Sequence, residues 1–268
     1  MDSTVLARRS HQNMVAAFSS LPPHQPNGFV DELGGVVVAA TGSPIPFFNQ
    51  VLPLEEHVDR DALRAAIAVM RQAGLRSVVH LRDGVDAQLL PVVAALGFIQ
   101  EESQPAMNLT DLPSHEMPDG FAVTRVADRC GFDAHLMTAA ANAGASTDLY
   151  ATWLGATIVD DPQVSLFVGY ANGTPVATSL SVRTGDVVGV YNVGTAPAAR
   201  RRGYGWAMTL AAIVDGAAAG CSLATLQASV MGYPIYAEHG FQTLFRYRAF
   251  RDAMAGRASA DLVAHTAL

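Results

Sequence analysis

The sequence predicts an α/β chain organised as two tandem domains, and three observations carry that prediction. Short β-branched runs alternate with helical stretches through the second half. Three dipeptide patterns of the first half recur in the second at one fixed distance. Half of the 268 residues are apolar and only 15% are charged. That balance excludes global disorder and supplies a core for two ordinary domains or one large one.

The first ~25 residues read as one amphipathic helix stopped by Leu21-Pro22-Pro23. The repeat follows. Thr41-Gly42, Phe48-Asn49 and Gly97-Phe98 precede Thr184-Gly185, Tyr191-Asn192 and Gly240-Phe241, each by 143 residues (41 and 184, 49 and 192, 97 and 240). One shared dipeptide is chance; three at a common offset argue for an internal repeat. The same offset carries Leu63, Ile67 and Met70 onto Trp206, Leu210 and Ile213. The polar, proline-bearing stretch Asp111–Gly120 holds the boundary. The predicted division is therefore 1–110, a linker 111–119, a second domain 120–255 and a little-patterned tail 256–268.

In the second half, Val187–Val193 is short, β-branched and closed by Gly194, as a buried strand is. A basic loop, Pro197 to Arg202, leads into an apolar helix from Gly205 to Ala219 that Gly220 ends. Leu223–Ser229 reads as another buried strand and Tyr233–His239 as a short helix. Glycines at a helix start let backbone N–H groups approach an anion, and the helix dipole favours negative charge there. Arg200, Arg201 and Arg202 add guanidinium groups that pair with phosphate oxygens. A strand, an exposed basic turn and a helix without any ligand would show the same pattern. A dinucleotide fingerprint requires a small residue where Met208 stands, and no Gly-Lys-Ser/Thr tripeptide occurs for a Walker A loop.

Arg200-x-x-Gly203-x-Gly205 resembles the pyrophosphate loop of the GNAT superfamily, the acyl-CoA-dependent N-acetyltransferases. Ile235-Tyr236-Ala237-Glu238-His239-Gly240-Phe241 is similar to that family's Leu-Tyr-x-x-x-Gly-Phe segment. The resemblance covers roughly 120–250. It implies two tandem GNAT-like domains, each a mixed, mostly antiparallel sheet flanked by helices. It further implies acetyl-CoA as cosubstrate, held by Val193, Thr195, Arg200, Arg201, Arg202, Gly203, Tyr204, Gly205, Trp206 and Ser229. Ser229 stands where many members place an Asn, and a serine reaches less far. In the first half His57-Val58-Asp59-Arg60 falls opposite the loop without a glycine, and Val93 falls opposite Tyr236. The first half is thus a degenerate copy expected not to hold CoA in the usual way, its role being packing.

The implied activity is acetyl transfer from acetyl-CoA to an amine of a small molecule or protein. A backbone N–H near Val193 would donate to the developing oxyanion, and Tyr236 would be the general acid for the leaving thiol. Packing of Tyr236 on the loop is the alternative. No base is singled out: strand 187–193 offers Tyr191 and Asn192 but no carboxylate, which leaves a water chain, Asp186 or the Leu268 carboxylate. The acceptor would meet Ala139–Trp153, including Asn142, Asp148, Tyr150 and Trp153, although such aromatics also serve cores and Asn142 also suits a helix cap. A non-catalytic CoA-binding, sensor or assembly protein of the same fold is the second function class.

A formal charge of −7 argues against nucleic acid as the main partner. Eight histidines lack metal-site spacing, so no metal is expected. No Gly-x-Ser-x-Gly marks a serine hydrolase. Cys130 and Cys221 are too few for a disulfide framework and point to a reducing, cytoplasmic compartment. Arg8-Arg9 precedes no apolar segment of an export signal, and no run approaches the ~20 apolar residues of a membrane span. A homodimer is compatible with these features. His80, in an apolar run, reads as a satisfied core or edge histidine, and Glu238-His239 as a surface helix end.

Overall fold

The computed structural model describes residues 2–113 and 117–253. The elements in chain order are α1 (Ser3–Ser20), β1 (Phe29–Leu33), β2 (Val36–Ala40), β3 (Asn49–Pro53), α2 (Arg60–Gln72), β4 (Val78–Arg82), α3 (Leu90–Ala95), β5 (Phe98–Gln100) and β6 (Gln104–Leu109). The second half holds β7 (Phe121–Arg125), α4 (Arg129–Ala143), α5 (Thr147–Ala151), β8 (Val164–Ala171), β9 (Thr174–Thr184), β10 (Val187–Thr195), α6 (Tyr204–Ala218), β11 (Leu223–Gln227), α7 (Tyr233–Glu238) and β12 (Gln242–Asp252). The repeat is visible in this order. Strand–strand–strand–helix–strand–helix–strand runs from β8 to β12, and β1 to β6 repeats it with the two strands β5 and β6 in the place of the single long β12.

All twelve strands join one mixed sheet, ordered β1-β2-β3-β4-β12-β6-β11-β10-β9-β8-β7, with β5 beside β12. The linker separates the halves along the sequence, but the sheet is not divided there. β6, from the first half, lies between β11 and β12; β12, from the second, lies against β4 and β5. The two central strands are related by the repeat itself. Ile99 pairs with Arg251 and Asn108 with Gln242, and adding 143 converts 99 to 242 and 108 to 251. The halves therefore face each other across a pseudo-twofold axis, each lending its last strand to the other. The offset also holds for α2 with α6 and α3 with α7. It fails at the third strands: Asn49 opens β3, whereas Asn192 lies deep in β10 beside an irregularity.

Separate cores stabilise the two faces. Leu63, Ile67 and Met70 of α2 meet Val36, Val38 and Val79 of the first half. Met208, Ala212 and Ile213 of α6 meet Val188, Val190, Ala224 and Leu226 of the second. On the opposite face α4 and α5 cover β8–β10 with Phe132, Leu136, Tyr150 and Trp153.

Helix α1 covers the middle of the sheet, with its apolar side formed by Met14, Val15 and Phe18. Its polar residues reach inward as well. Ser10 Oγ donates to Asn108 Oδ1 at 2.8 Å, and Asn13 Nδ2 donates to the Val182 carbonyl at 3.0 Å. Asn13 Oδ1 accepts from the Tyr191 hydroxyl at 2.6 Å. His11 lies 2.7 Å from the Pro53 carbonyl and 2.9 Å from the Tyr247 hydroxyl. The carbonyl can only accept, so Nε2 carries the proton and Nδ1 accepts from Tyr247. Burial lowers the His11 pKa to about 3. His80 is also buried, at 1% exposure, but both its ring nitrogens lack partners, so it is a core histidine and not a satisfied one.

Candidate functional site

The site begins where β10 leaves β11. Their parallel ladder runs from Val187↔Leu223 to Gly189↔Thr225, yet β10 continues to Thr195 and β11 to Gln227. Beyond Gly189 β10 pairs only with β9, and β11 with β6. A cleft opens between the diverging ends. A bulge sharpens it: Tyr191 pairs with Leu180 and Gly194 with Thr178, so Asn192 and Val193 together oppose Ser179. Asn192 takes φ of 50°, in the left-handed region that Asn tolerates better than most residues.

Beyond Thr195 the chain turns through Arg200–Gly203 into α6. Arg201 at φ 60° and Gly203 at φ 78° make that turn. Gly203 is the N-cap, with no side-chain cap, and no acidic residue occupies the first turn. The other helices of thirteen residues or more begin with a carboxylate, Asp2, Asp59 or Asp128, bonded to a first-turn amide. The start of α6 thus keeps its amides and its positive dipole end for an external anion. A Cβ at Gly205 would meet nothing nearer than Thr195 Oγ1 at 3.8 Å, so the approach to its backbone is open. Arg200, Arg201 and Arg202 are all exposed. Arg200 Nε donates to the Thr195 carbonyl at 3.1 Å and ties the loop to β10. In the first half the equivalent helix start is filled: Asp59 caps α2 and Asp61 stands in its first turn. That arrangement repels an anion.

Tyr204 stacks on Phe121 with ring centroids 4.1 Å apart, so only its backbone faces the loop. Trp206 stacks on His239 at 3.8 Å, bridging α6 and the end of α7. Ser229 Oγ accepts from the Gly232 N–H at 3.1 Å, fastening the turn into α7. Tyr236 is buried, and burial raises its pKa. Thr209 donates to the Gly205 carbonyl at 3.0 Å, inside the first turns of α6. The structure brings Val193, Thr195, the 200–206 loop, Ser229 and Tyr236 to this one end of β10 and β11.

The acceptor-side expectations divide. Tyr150 and Trp153 are core residues, at 4% and 1% exposure, and Tyr150 donates to Asn192 Oδ1 at 2.7 Å. Asn142 is not a cap: Asp128 begins α4 and Gly144 ends it. Asn142 lies instead against the bulge, where a Cβ on Gly194 would come 3.1 Å from its Nδ2, and neither amide atom has a partner. Asp148 is exposed. Asp186 precedes β10 at its far end, about 30 Å of strand from Thr195, and is held by Arg9 and Ser222. It is removed from the cleft and cannot be its base. Leu268 lies outside the described residues. Sequence reading missed Thr209, since a threonine inside an apolar helix carries no motif. Among the described residues, no group of three or more His, Cys, Asp or Glu is placed to hold a metal ion, and no helix is long and apolar enough to cross a membrane.

Residues 122–233 match the family described as acetyltransferase (GNAT) domain. No curated protein matches. Among solved structures, a GCN5-related N-acetyltransferase from Kribbella flavida superposes with a TM-score of 0.69 at 21% identity, covering 93% of this chain and 96% of that one. A tandem GNAT protein from the clavulanic acid biosynthesis pathway gives 0.57 at 13% identity, over 88% of this chain and 86% of that one. A GCN5-related N-acetyltransferase from Sphaerobacter thermophilus gives 0.53 at 16%, over 81% and 76%. These likenesses establish the fold along nearly the whole chain.

Proposed function

Since the chain has the GNAT fold and carries a GNAT acetyltransferase domain over residues 122–233, we propose that it transfers an acetyl group from acetyl-CoA to an amine in a reducing, cytoplasmic compartment. The observation that carries this reading is the uncapped, acid-free start of α6 facing a cleft between parted parallel strands. Those residues fit the cosubstrate: unpaired amides at Gly203–Trp206 suit a pyrophosphate, and the open space at Gly205 lets it come close. When bound, acetyl-CoA supplies an activated acyl group with a thiol leaving group.

The chain's own residues orient and discharge that group. The bulge at Asn192–Val193 takes the backbone of β10 out of its ladder and makes it available as a donor to a developing oxyanion. Such donors are worth roughly 10²–10³ in rate. Tyr236, a phenol protonated at neutral pH and raised further by burial, would give its proton to the leaving thiol. Asn142, whose carboxamide has no partner, lies against Gly194 at the bulge, where an acceptor would approach. The first half, with Asp59 and Asp61 at its helix start, binds no second cosubstrate.

Calorimetric titration with acetyl-CoA tests the reading, followed by thiol release against a panel of amines. One site per chain is expected. Gly205→Asp should abolish binding, because a carboxylate at the helix start repels the pyrophosphate and its side chain fills the open approach. A folded Gly205→Asp protein with unchanged affinity would overturn the assignment.

A further inference from the structure

We propose that the stacked pair Trp206–His239 is a platform for the purine ring of the phosphorylated cosubstrate, with the purine lying on the open face of His239. The proposal rests on the acetyl-CoA reading of the same cleft. The two rings are 3.8 Å apart and inclined by 26°, close to parallel. Trp206 is the third residue of α6 and half-buried; His239 follows the last residue of α7 and is exposed. The free face of the pair is therefore the imidazole's.

The imidazole is also fixed in orientation. Its Nδ1 lies 2.8 Å from the Ile235 carbonyl, which can only accept, so Nδ1 carries the proton and Nε2 keeps its lone pair. Trp206 packs against the core of the second half, while His239 is exposed and lays a flat π surface over it at the protein's edge. That surface stands at the start of α6, which among the described long helices is the one without a capping carboxylate, and three exposed arginines precede it. Charge partners for phosphates next to an aromatic plane are what a purine nucleotide requires, since every base has a π face that stacks on an aromatic side chain.

The test compares coenzyme A with 4′-phosphopantetheine, which lacks the adenosine together with its 3′-phosphate and one phosphate of the pyrophosphate, by calorimetry on the full chain; the purine's share is read from how His239 variants change each affinity. Coenzyme A should bind the unaltered protein more tightly. His239→Ala should weaken coenzyme A by roughly 5- to 100-fold, the range of a lost stacking partner, and leave 4′-phosphopantetheine unchanged. His239→Phe should restore coenzyme A binding, since the plane returns without the imidazole. Trp206 fluorescence should respond to coenzyme A and not to the shorter ligand, Trp153 being buried. Equal affinity of the two ligands for the unaltered protein would leave the cosubstrate reading intact and overturn the platform. Equal weakening of both by His239→Ala, or no weakening, would overturn it as well. If neither ligand binds the unaltered protein, the cosubstrate reading falls and the platform with it.

Discussion

Tyr236 is set in its place by a small neighbour. A Cβ on Gly232 would lie 2.9 Å from the Tyr236 ring and 3.3 Å from Ser229 Oγ, so the glycine admits the ring. Tyr236→Phe preserves that packing and removes only the proton donor. Turnover should fall by roughly 10–10³-fold, the low end of general-acid effects, with acetyl-CoA affinity retained. Unchanged turnover, once chemistry is shown to limit the rate, would assign Tyr236 to packing. His80 gives the opposite kind of case, a polar residue whose neutrality is enforced. Burial lowers its pKa from 6.5 to about 4, so the folded state holds the ring neutral while the unfolded chain takes up a proton below pH 6.5. The stability it contributes is present above pH 6.5 and is lost as the pH falls towards 4, by about 1.4 kcal/mol per pH unit. His11 and His135, also lowered by burial, add to the same acid limb. His80→Leu should flatten that limb by one histidine's share and cost little at pH 7.5, because no hydrogen bond is lost. Urea midpoints at pH 7.5 and pH 5 check this; an acid dependence equal to the unaltered protein's would refute it.

Helix α1 works as a staple, since its inward polar residues bond to strands of both halves. That docking depends on one glycine of β10. A Cβ on Gly189 would fall 1.8 Å from Asn13 Oδ1 and 2.6 Å from the Tyr191 hydroxyl. Gly189→Ala should therefore lift α1 from the sheet and destabilise the chain by about 2–4 kcal/mol, combining overpacking with a broken buried hydrogen bond. Chemical denaturation measures the loss, and limited proteolysis near Ser3–Ser20 locates it. Asn13→Ala in the same chain should recover part of the stability, because the clash is then gone; strictly additive losses would show that the two do not meet. The sequence reads α1 as a helix, since Leu21-Pro22-Pro23 ends it. Its docking site is not legible there, because Ser10, His11 and Asn13 bond to residues 42 to 236 positions away.

At the scale of the whole molecule, the exchange of last strands makes each half incomplete alone. Without β6 the second half would leave the inner edges of β11 and β12 unpaired, and exposed edges invite association. A chain of residues 120–268 should therefore be unfolded or aggregated, although it contains the entire cleft. The full chain should unfold in one transition seen alike by circular dichroism and Trp fluorescence. A monomeric, cooperatively folded 120–268 fragment would refute the dependence. The first half thus has a physical role in the fold: it supplies the strand that closes the second half's sheet and shares the helix that covers the centre.

The amino-acid sequence by itself determined what is local. Alternating apolar runs and glycine stops gave the strands and helices, the 143-residue offset gave the repeat, and the spacing from Arg200 to Phe241 marked the loop and the tyrosine. Each of these is written within a few dozen residues, where backbone sterics and periodicity act. Only the tertiary structure decided which strands pair, because β6 and β12 are interchangeable by pattern and their exchange follows from closure of the sheet. It likewise moved Asp186 away from the cleft and brought Asn142 to the bulge. Both outcomes depend on where β10 parts from β11, a separation set by the packing of two whole halves and by no residue's own preference.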